Sequence, residues 1–478
     1  MKSQNRKDSL KKDKSGGWIV PICLILIVLV ILPLMMIFRR ALMPEGHLDF
    51  YGVWKTVSDV KNIRTIINTL ILSLSVVCLS TIIAVPLAFI TAGIDIGKRK
   101  WLDVVLMIPF MTPPYIASMG WILFVQKRGL FQQLFPGTGS ISEKFFSFGG
   151  LVLVMSLHVF PFMLTIVKNA LSDISTGMEE SARASGGKFL YRLRRITLPL
   201  ITGNYALGAL LVFVKTAAEY GTSATLGKRI GFDVFATEIH RSATIAPVDF
   251  GRAASLSGLL TGICFMAWFI QNYISFRMSY KTVGGKGSRS HVYKLKGISR
   301  ISAWVVIISV LAVSIGIPYF SVTVTSLIKL RGYGIRAGNF TFSNFTALFT
   351  ANPKGRQAFS NSIFLSLSSA TIAAVTGTAV AAAVQRSKSR FGKIIEWISI
   401  LPEMLPGIVL IIGIMLFWNS VYKIIPIYNT IWIMVLAYMT LYLPYTVQYV
   451  GARDRQLGMS LFEAGRISGE VLFIYSEK

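Results

Sequence analysis

Ten stretches of about 20 predominantly apolar residues follow one another along this chain, at 18–38, 66–91, 102–125, 148–167, 200–218, 253–274, 301–327, 363–384, 394–418 and 431–450. That succession excludes a soluble fold. With 53% hydrophobic and only 15% charged residues among 478, too little polar surface remains to cover so many apolar segments in water. Each stretch is long enough to cross a bilayer as a helix, so the expected fold is all-α: a polytopic membrane protein of about ten transmembrane helices.

The net charge of +28 would suggest nucleic acid in a soluble protein. Here the basic residues sit in short loops between apolar runs, where they orient the chain in a bilayer, and no nucleic-acid partner is expected. With the N-terminus inside, the cytoplasmic pieces hold 30 Lys and Arg and the outer pieces 18, which predicts a cytoplasmic N-terminus. The segment from Arg277 to Arg300 carries seven Lys or Arg and no acid, and its Gly and Ser content predicts a flexible cytoplasmic linker at 275–300. The basic head at 1–17 resembles the start of a signal peptide, but "FRRALMPEG" offers no small-residue cleavage site, so the first run is expected to be retained as a helix. Cys23, Cys78 and Cys264 lie inside apolar runs without metal-ligand spacing and read as small core residues.

The linker divides a repeat. "NTLILSLS" at Asn68 returns as "NSIFLSLS" at Asn361, and "IPFMTPP" around Pro109 and Pro113 returns as "LPEMLPG" around Pro402 and Pro406, both 293 residues later. "HVFPF" around Pro161 matches "LYLPY" around Pro444, and Glu180 matches Glu463, both 283 residues later. The chain therefore reads as two tandem copies in parallel orientation: a first unit at 18–274 with six helices and a second at 301–478 with four.

Between the fourth and fifth runs lies "EESARASGGKFLYRLRRITLPL", Glu179 to Leu200. Acids in its first turn favour a helix start, Gly186 and Gly187 interrupt it, and a basic second segment leads to Pro199, placed where a membrane helix begins. An angled helix-turn-helix on the inner face is expected, too charged for lipid and too apolar on one side for a solvated loop. Such a segment calls for a protein partner.

Glu180, Ser181, Ala182, Gly186, Ile196, Thr197, Leu198 and Pro199 resemble the coupling-loop signature of ABC importer permeases, E-A-A-x3-G-x9-I-x-L-P, with Ser181 as the departure. In that family the helix docks in a cleft of an ATP-binding subunit, and nucleotide-driven closure rocks the membrane helices. The resemblance implies a permease subunit partnered by ATP-binding subunits, expected as a homodimer, by an extracytoplasmic substrate-binding protein and by the lipid bilayer of a bacterial inner membrane. Two fused units joined by a basic linker resemble the ferric-iron permeases. "AEYGTSATLG" at Ala218, "TVGGK" at Thr282 and "LPEMLPG" at Leu401 look like that subgroup. Polyamine, phosphonate, thiamine or sulfate are the alternative substrates.

The second signature begins with Glu463, Ala464, Gly465 and Gly469 but lacks I-x-L-P before Lys478. A C-terminally truncated version of a twelve-helix permease is expected, with a complete ten-helix design as the alternative. No G-x-x-x-x-G-K-[ST] loop occurs, so ATP hydrolysis, with its ATP and Mg, is assigned to separate subunits, and no catalytic residue or bound cofactor is expected on this chain. His47, His158, His240 and His291 are scattered and predict no metal site. His158, inside the fourth run, reads as a hydrogen-bonded packing residue or as a path lining. Candidates for the translocation path are the prolines Pro109, Pro113, Pro402 and Pro406, which bend helices and free carbonyls, together with Glu219 and Glu403 at membrane depth. Glu219 could instead pair with Lys215, four residues away on the helix. A secondary transporter or a nontransporting membrane scaffold are rivals from other classes.

Overall fold

In lipid, every backbone N–H and C=O must find a partner within the segment, and the apolar runs accordingly form helices. The computed structural model describes residues 16–43, 46–174, 176–277, 296–386 and 390–456, and among them the long elements are all helical. The principal helices are α1 (Val20–Leu42), α2 (Val60–Gly93), α3 (Lys100–Met111), α4 (Pro114–Val125), α5 (Phe148–Ser172), α6 (Thr176–Ala184), α7 (Phe189–Ala217) and α8 (Phe235–Thr244). They continue with α9 (Phe250–Arg277), α10 (Gly297–Leu327), α11 (Pro353–Arg386), α12 (Arg390–Met404), α13 (Gly407–Ser420) and α14 (Ile431–Gln456).

Among the described residues, eight helices are long and apolar enough to cross a membrane, and ten segments qualify if each of two bent pairs counts as one span. The bent pairs correct the sequence reading of 102–125 and 394–418 as plain spans. The first pair turns by 85° between Met111 and Pro114, and the second by 110° between Met404 and Gly407. Proline explains both breaks, because it has no N–H to give the previous turn and its ring collides with the carbonyl four residues back. The repeated motifs put the two breaks at the same place in each copy.

Three other prolines leave their helices unbroken by a different device. Pro33, Pro199 and Pro318 each stand at the second residue after a five-residue π-turn, at Ile27–Ile31, Leu193–Thr197 and Ala312–Gly316. The N–H of the residue before each proline reaches back five positions: Leu32 to Ile27, Leu198 to Leu193, and Ile317 to Ala312. The wider turn gives the ring room without ending the helix. Pro199 is therefore not where the span begins, since α7 runs continuously from Phe189 through it.

Two compact units emerge, and they cut across the sequence repeat: residues 51–355 form one, and 1–50 with 356–478 form the other. In the larger unit α5 is the central helix, and Leu151, Met155, Phe160, Met163 and Val167 on it are fully or almost fully buried against α2 and α7. These side chains gain dispersion contacts with protein rather than release from water, the main packing force within a bilayer. The same unit contains α10, the leading helix of the second repeat. A methyl group on Gly120 of α4 would lie 2.6 Å from the Cα and carbonyl oxygen of Pro318, so only glycine permits this close approach. Trp101 stacks on Trp304 at 6.2 Å, Arg99 lies over the Trp304 ring, and Arg300 is 3.7 Å from Asp95, which holds the start of α10.

The smaller unit repeats this arrangement with the roles exchanged. Here α1, the leading helix of the first repeat, packs on α13, where a methyl group on Gly413 would lie 2.6 Å from the carbonyl oxygen of Pro33. Gly120 and Gly413 are 293 residues apart, the spacing of the repeated break motif, while Pro33 and Pro318 are 285 apart. Each copy's leading helix thus sits on the broken span of the other copy.

Candidate functional site

The segment expected to couple to an ATP-binding subunit is a nine-residue helix, a tight glycine turn and a second helix that becomes a membrane span. At the end of α6 the Gly187 N–H donates to the Ala182 carbonyl at 2.9 Å and the Gly186 N–H to Arg183 at 3.0 Å. This pair of bonds is a Schellman motif, which needs a left-handed residue, and Gly186 supplies it with φ of +78°. The signature glycine is thus a helix stop. Ser181 and Ser185 are exposed, Ala182 is half-buried, and the first residues of α7 present Phe189, Leu190 and Tyr191 to the surroundings, with Arg194 and Arg195 exposed behind them. Ile196 and Pro199 are half-buried and Leu198 is exposed. Glu180 lies on α6, but its side chain is outside the described residues, as is the whole second segment with Glu463, Ala464, Gly465 and Gly469. Because α7 is continuous from Phe189 to Ala217, a force applied at the glycine turn acts on a stiff rod across the bilayer.

The far end of that rod meets the first break. Pro109, Pro113 and Glu219 come together there, whereas Pro402, Glu403 and Pro406 belong to the other compact unit. In a regular helix the Pro109 carbonyl would accept from residue 113, but Pro113 has no N–H. His158 of α5 fills the vacancy, with Nδ1 2.8 Å from the Pro109 oxygen. Since a carbonyl only accepts, Nδ1 carries the proton. This buried side chain, 8% exposed, is therefore the hydrogen-bonded packing residue foreseen as one of its two readings. Thr112 donates to the Ile108 carbonyl at 2.9 Å, and Tyr319 of α10 bonds the Thr112 hydroxyl at 2.9 Å.

Glu219 does not act mainly through Lys215. The Thr222 N–H lies 2.9 and 3.1 Å from its two carboxylate oxygens, so Glu219 caps the helical turns that follow it. Lys215 instead has its ammonium 5.7 Å from the Phe162 ring centre. A β-carbon on Gly221 would lie 2.9 Å from the Tyr115 nitrogen and 3.1 Å from a Glu219 oxygen, which places the carboxylate beside the start of α4. Ser118 and Thr225 bond across the same contact at 2.7 Å.

Sequence reasoning missed a second cluster at this end of the bundle. Glu238, 2% exposed, is met by Arg241 at 2.7 Å, Arg252 at 3.0 Å and Lys61 at 3.4 Å. Arg252 also donates to Asn62 at 2.9 Å, whose amide donates to the Thr56 carbonyl at 2.7 Å. Burial pushes the Glu238 carboxyl above the usual carboxylate range, Arg252 opposes the rise, and Asp233 and Asp59 add to it. The cluster ties α8 to the starts of α2 and α9. Of its contacts only the Glu238 and Arg241 pair, three apart on one helix, has a spacing that sequence alone could reveal. Among the described residues no group of three or more His, Cys, Asp or Glu is placed to hold a metal ion.

Residues 84–280 match the family described as "Binding-protein-dependent transport system inner membrane component". The matched stretch contains the first break, the glycine-stopped segment, and Glu238 with its partners Arg241 and Arg252. The chain is an all-helical, multi-pass membrane protein, and over that stretch it resembles the inner-membrane permeases of ABC importers. Among such permeases it resembles those for ferric iron. It is 25% identical over 422 residues to the putative ferric transport system permease protein FbpB 1 of Haemophilus influenzae, covering 86% of this chain and 64% of that protein. It is 24% identical over 368 residues to the ferric transport system permease protein FbpB of Actinobacillus pleuropneumoniae, covering 75% of this chain and 52% of that protein. The sulfate transport system permease protein CysT of Salmonella typhimurium is 20% identical over 269 residues, or 56% of this chain and 94% of that protein. The chain thus spans less than two thirds of the two ferric permeases.

Proposed function

We propose that this chain is the membrane-spanning subunit of an ATP-driven, binding-protein-dependent importer whose cargo is ferric iron. The observation that carries the proposal is the coupling segment: a short helix stopped by Gly186 and joined directly to a 29-residue helix that crosses the membrane. A separate ATP-binding subunit, probed through Ser181, Ala182 and Ser185, would move that helix on binding and hydrolysing ATP with Mg. The chain itself carries out no hydrolysis and holds no cofactor. The charge asymmetry of the loops supports a cytoplasmic N-terminus, so that the coupling segment faces ATP and the Glu219 and Glu238 end faces a soluble substrate-binding protein. Iron is supported by the two ferric permeases; the match to a sulfate permease makes sulfate the second reading.

A photo-crosslinking residue at Ser185, in cells expressing the whole transport system, is expected to capture an ATP-binding subunit. Failure to capture one in an assembly that still accumulates substrate would overturn the coupling role. Uptake of radiolabelled ferric iron, competed by ferric iron and not by sulfate, checks the cargo.

A further inference from the structure

The two breaks share their prolines but not their surroundings. At the first, His158 donates to the orphaned Pro109 carbonyl at 2.8 Å and Tyr319 bonds Thr112 at 2.9 Å. The same repeat spacings place Leu441 where His158 stands, Leu405 where Thr112 stands and Leu34 where Tyr319 stands. Leu405 and Leu34 are buried, and half-buried Leu441 would lie 3.6 Å from a β-carbon on Gly407, so all three leucines belong to the smaller unit near its break or its leading helix. None can donate or accept a hydrogen bond. The Pro402 carbonyl is orphaned by Pro406 just as Pro109 is by Pro113, yet its copy has no imidazole to meet it. Instead, Gln448 of α14 bonds the Glu403 carboxylate at 2.6 Å, between two flexible side chains near the surface.

We propose that His158 is a positioning residue that pins the first break as a fixed corner, leaving the second break as the hinge of the molecule. A buried bond from a ring to a backbone carbonyl resists bending at that carbonyl, whereas leucine packing is non-directional and tolerates rotation about the break. The division of labour in a transport cycle rests on the importer reading above. The pinning itself does not, and it can be measured on the chain without any transport.

Hydrogen exchange of the full chain in lipid nanodiscs, read by mass spectrometry on 110–118 and 403–411, tests it. In the native sequence the second segment is expected to exchange at least about tenfold faster than the first. Equal rates overturn the proposal without any variant being made. His158→Leu, which copies the second repeat, is expected to speed exchange at 110–118 about tenfold. His158→Asn, whose side-chain amide nitrogen takes the place of Nδ1, is expected to restore slow exchange. An Asn variant as fast as the Leu variant, or a Leu variant as slow as the native chain, overturns it. Absence of iron uptake by the native chain with its partner subunits, while the exchange pattern holds, would count against the importer reading alone.

Discussion

Gly186 shows how much a single backbone angle can carry. A β-carbon there meets nothing within 4 Å, so the cost of replacing it is conformational rather than steric. Holding valine at φ of +78° costs about 1–2 kcal/mol. Gly186→Val is therefore expected to unwind the end of α6 while leaving the span intact, read as faster protease cleavage after Arg183 with unchanged thermal unfolding. Gly186→Asn, which tolerates the left-handed region better, is expected to lose less. Glu238 is the opposite case, an exposed-sounding acid in a loop helix that the fold buries among cations. Removing it leaves Arg241, Arg252 and Lys61 facing one another, and Glu238→Ala is expected to cost about 2 kcal/mol, less than a fully buried pair because the cations are partly solvated. Thermal unfolding in detergent measures it.

At the scale of the helix, the same residue type has two outcomes here. Proline after a π-turn leaves α1, α7 and α10 continuous, while paired prolines four apart break α3 from α4 and α12 from α13. The difference lies in the missing N–H: each proline orphans the carbonyl four residues back, so two prolines four apart leave carbonyls unbonded in two successive turns. Pro113→Ala restores a donor for the Pro109 carbonyl and is expected to narrow the 85° bend, shown by longer distances between spin labels at Val104 and Met119. A bend unchanged by that substitution would mean that packing of α10 on α4, rather than proline, sets the angle. The prolines and their repetition were legible in the sequence. The angle was not, because it depends on what covers the freed carbonyls.

At the scale of the molecule, sequence repeats and compact units are different divisions. The repeats were readable as 293- and 283-residue echoes, but the exchange of leading helices was not, since apolar helices carry little information about which neighbour they choose in lipid. The exchange has a direct consequence. Cutting the chain between 278 and 295, through an inserted protease site, should leave two fragments that copurify, because α10 of the second fragment packs on α4 of the first. Gly120→Leu would drive a side chain into the Pro318 backbone and is expected to weaken that copurification by at least about tenfold. Free separation of the native fragments would contradict the packing.

The sequence by itself determined the helical, membrane-spanning character, the tandem organisation, the proline breaks and the glycine-stopped helix before the fifth run. Each follows from local chemistry: apolar length, a missing N–H, or a left-handed angle. Only the tertiary structure decided that His158 meets Pro109, that Glu219 caps the turn after α7, and that three cations gather on Glu238. Those pairings join residues up to 177 positions apart, or depend on where a turn folds back, and in a chain whose helices are uniformly apolar only close packing selects the partners.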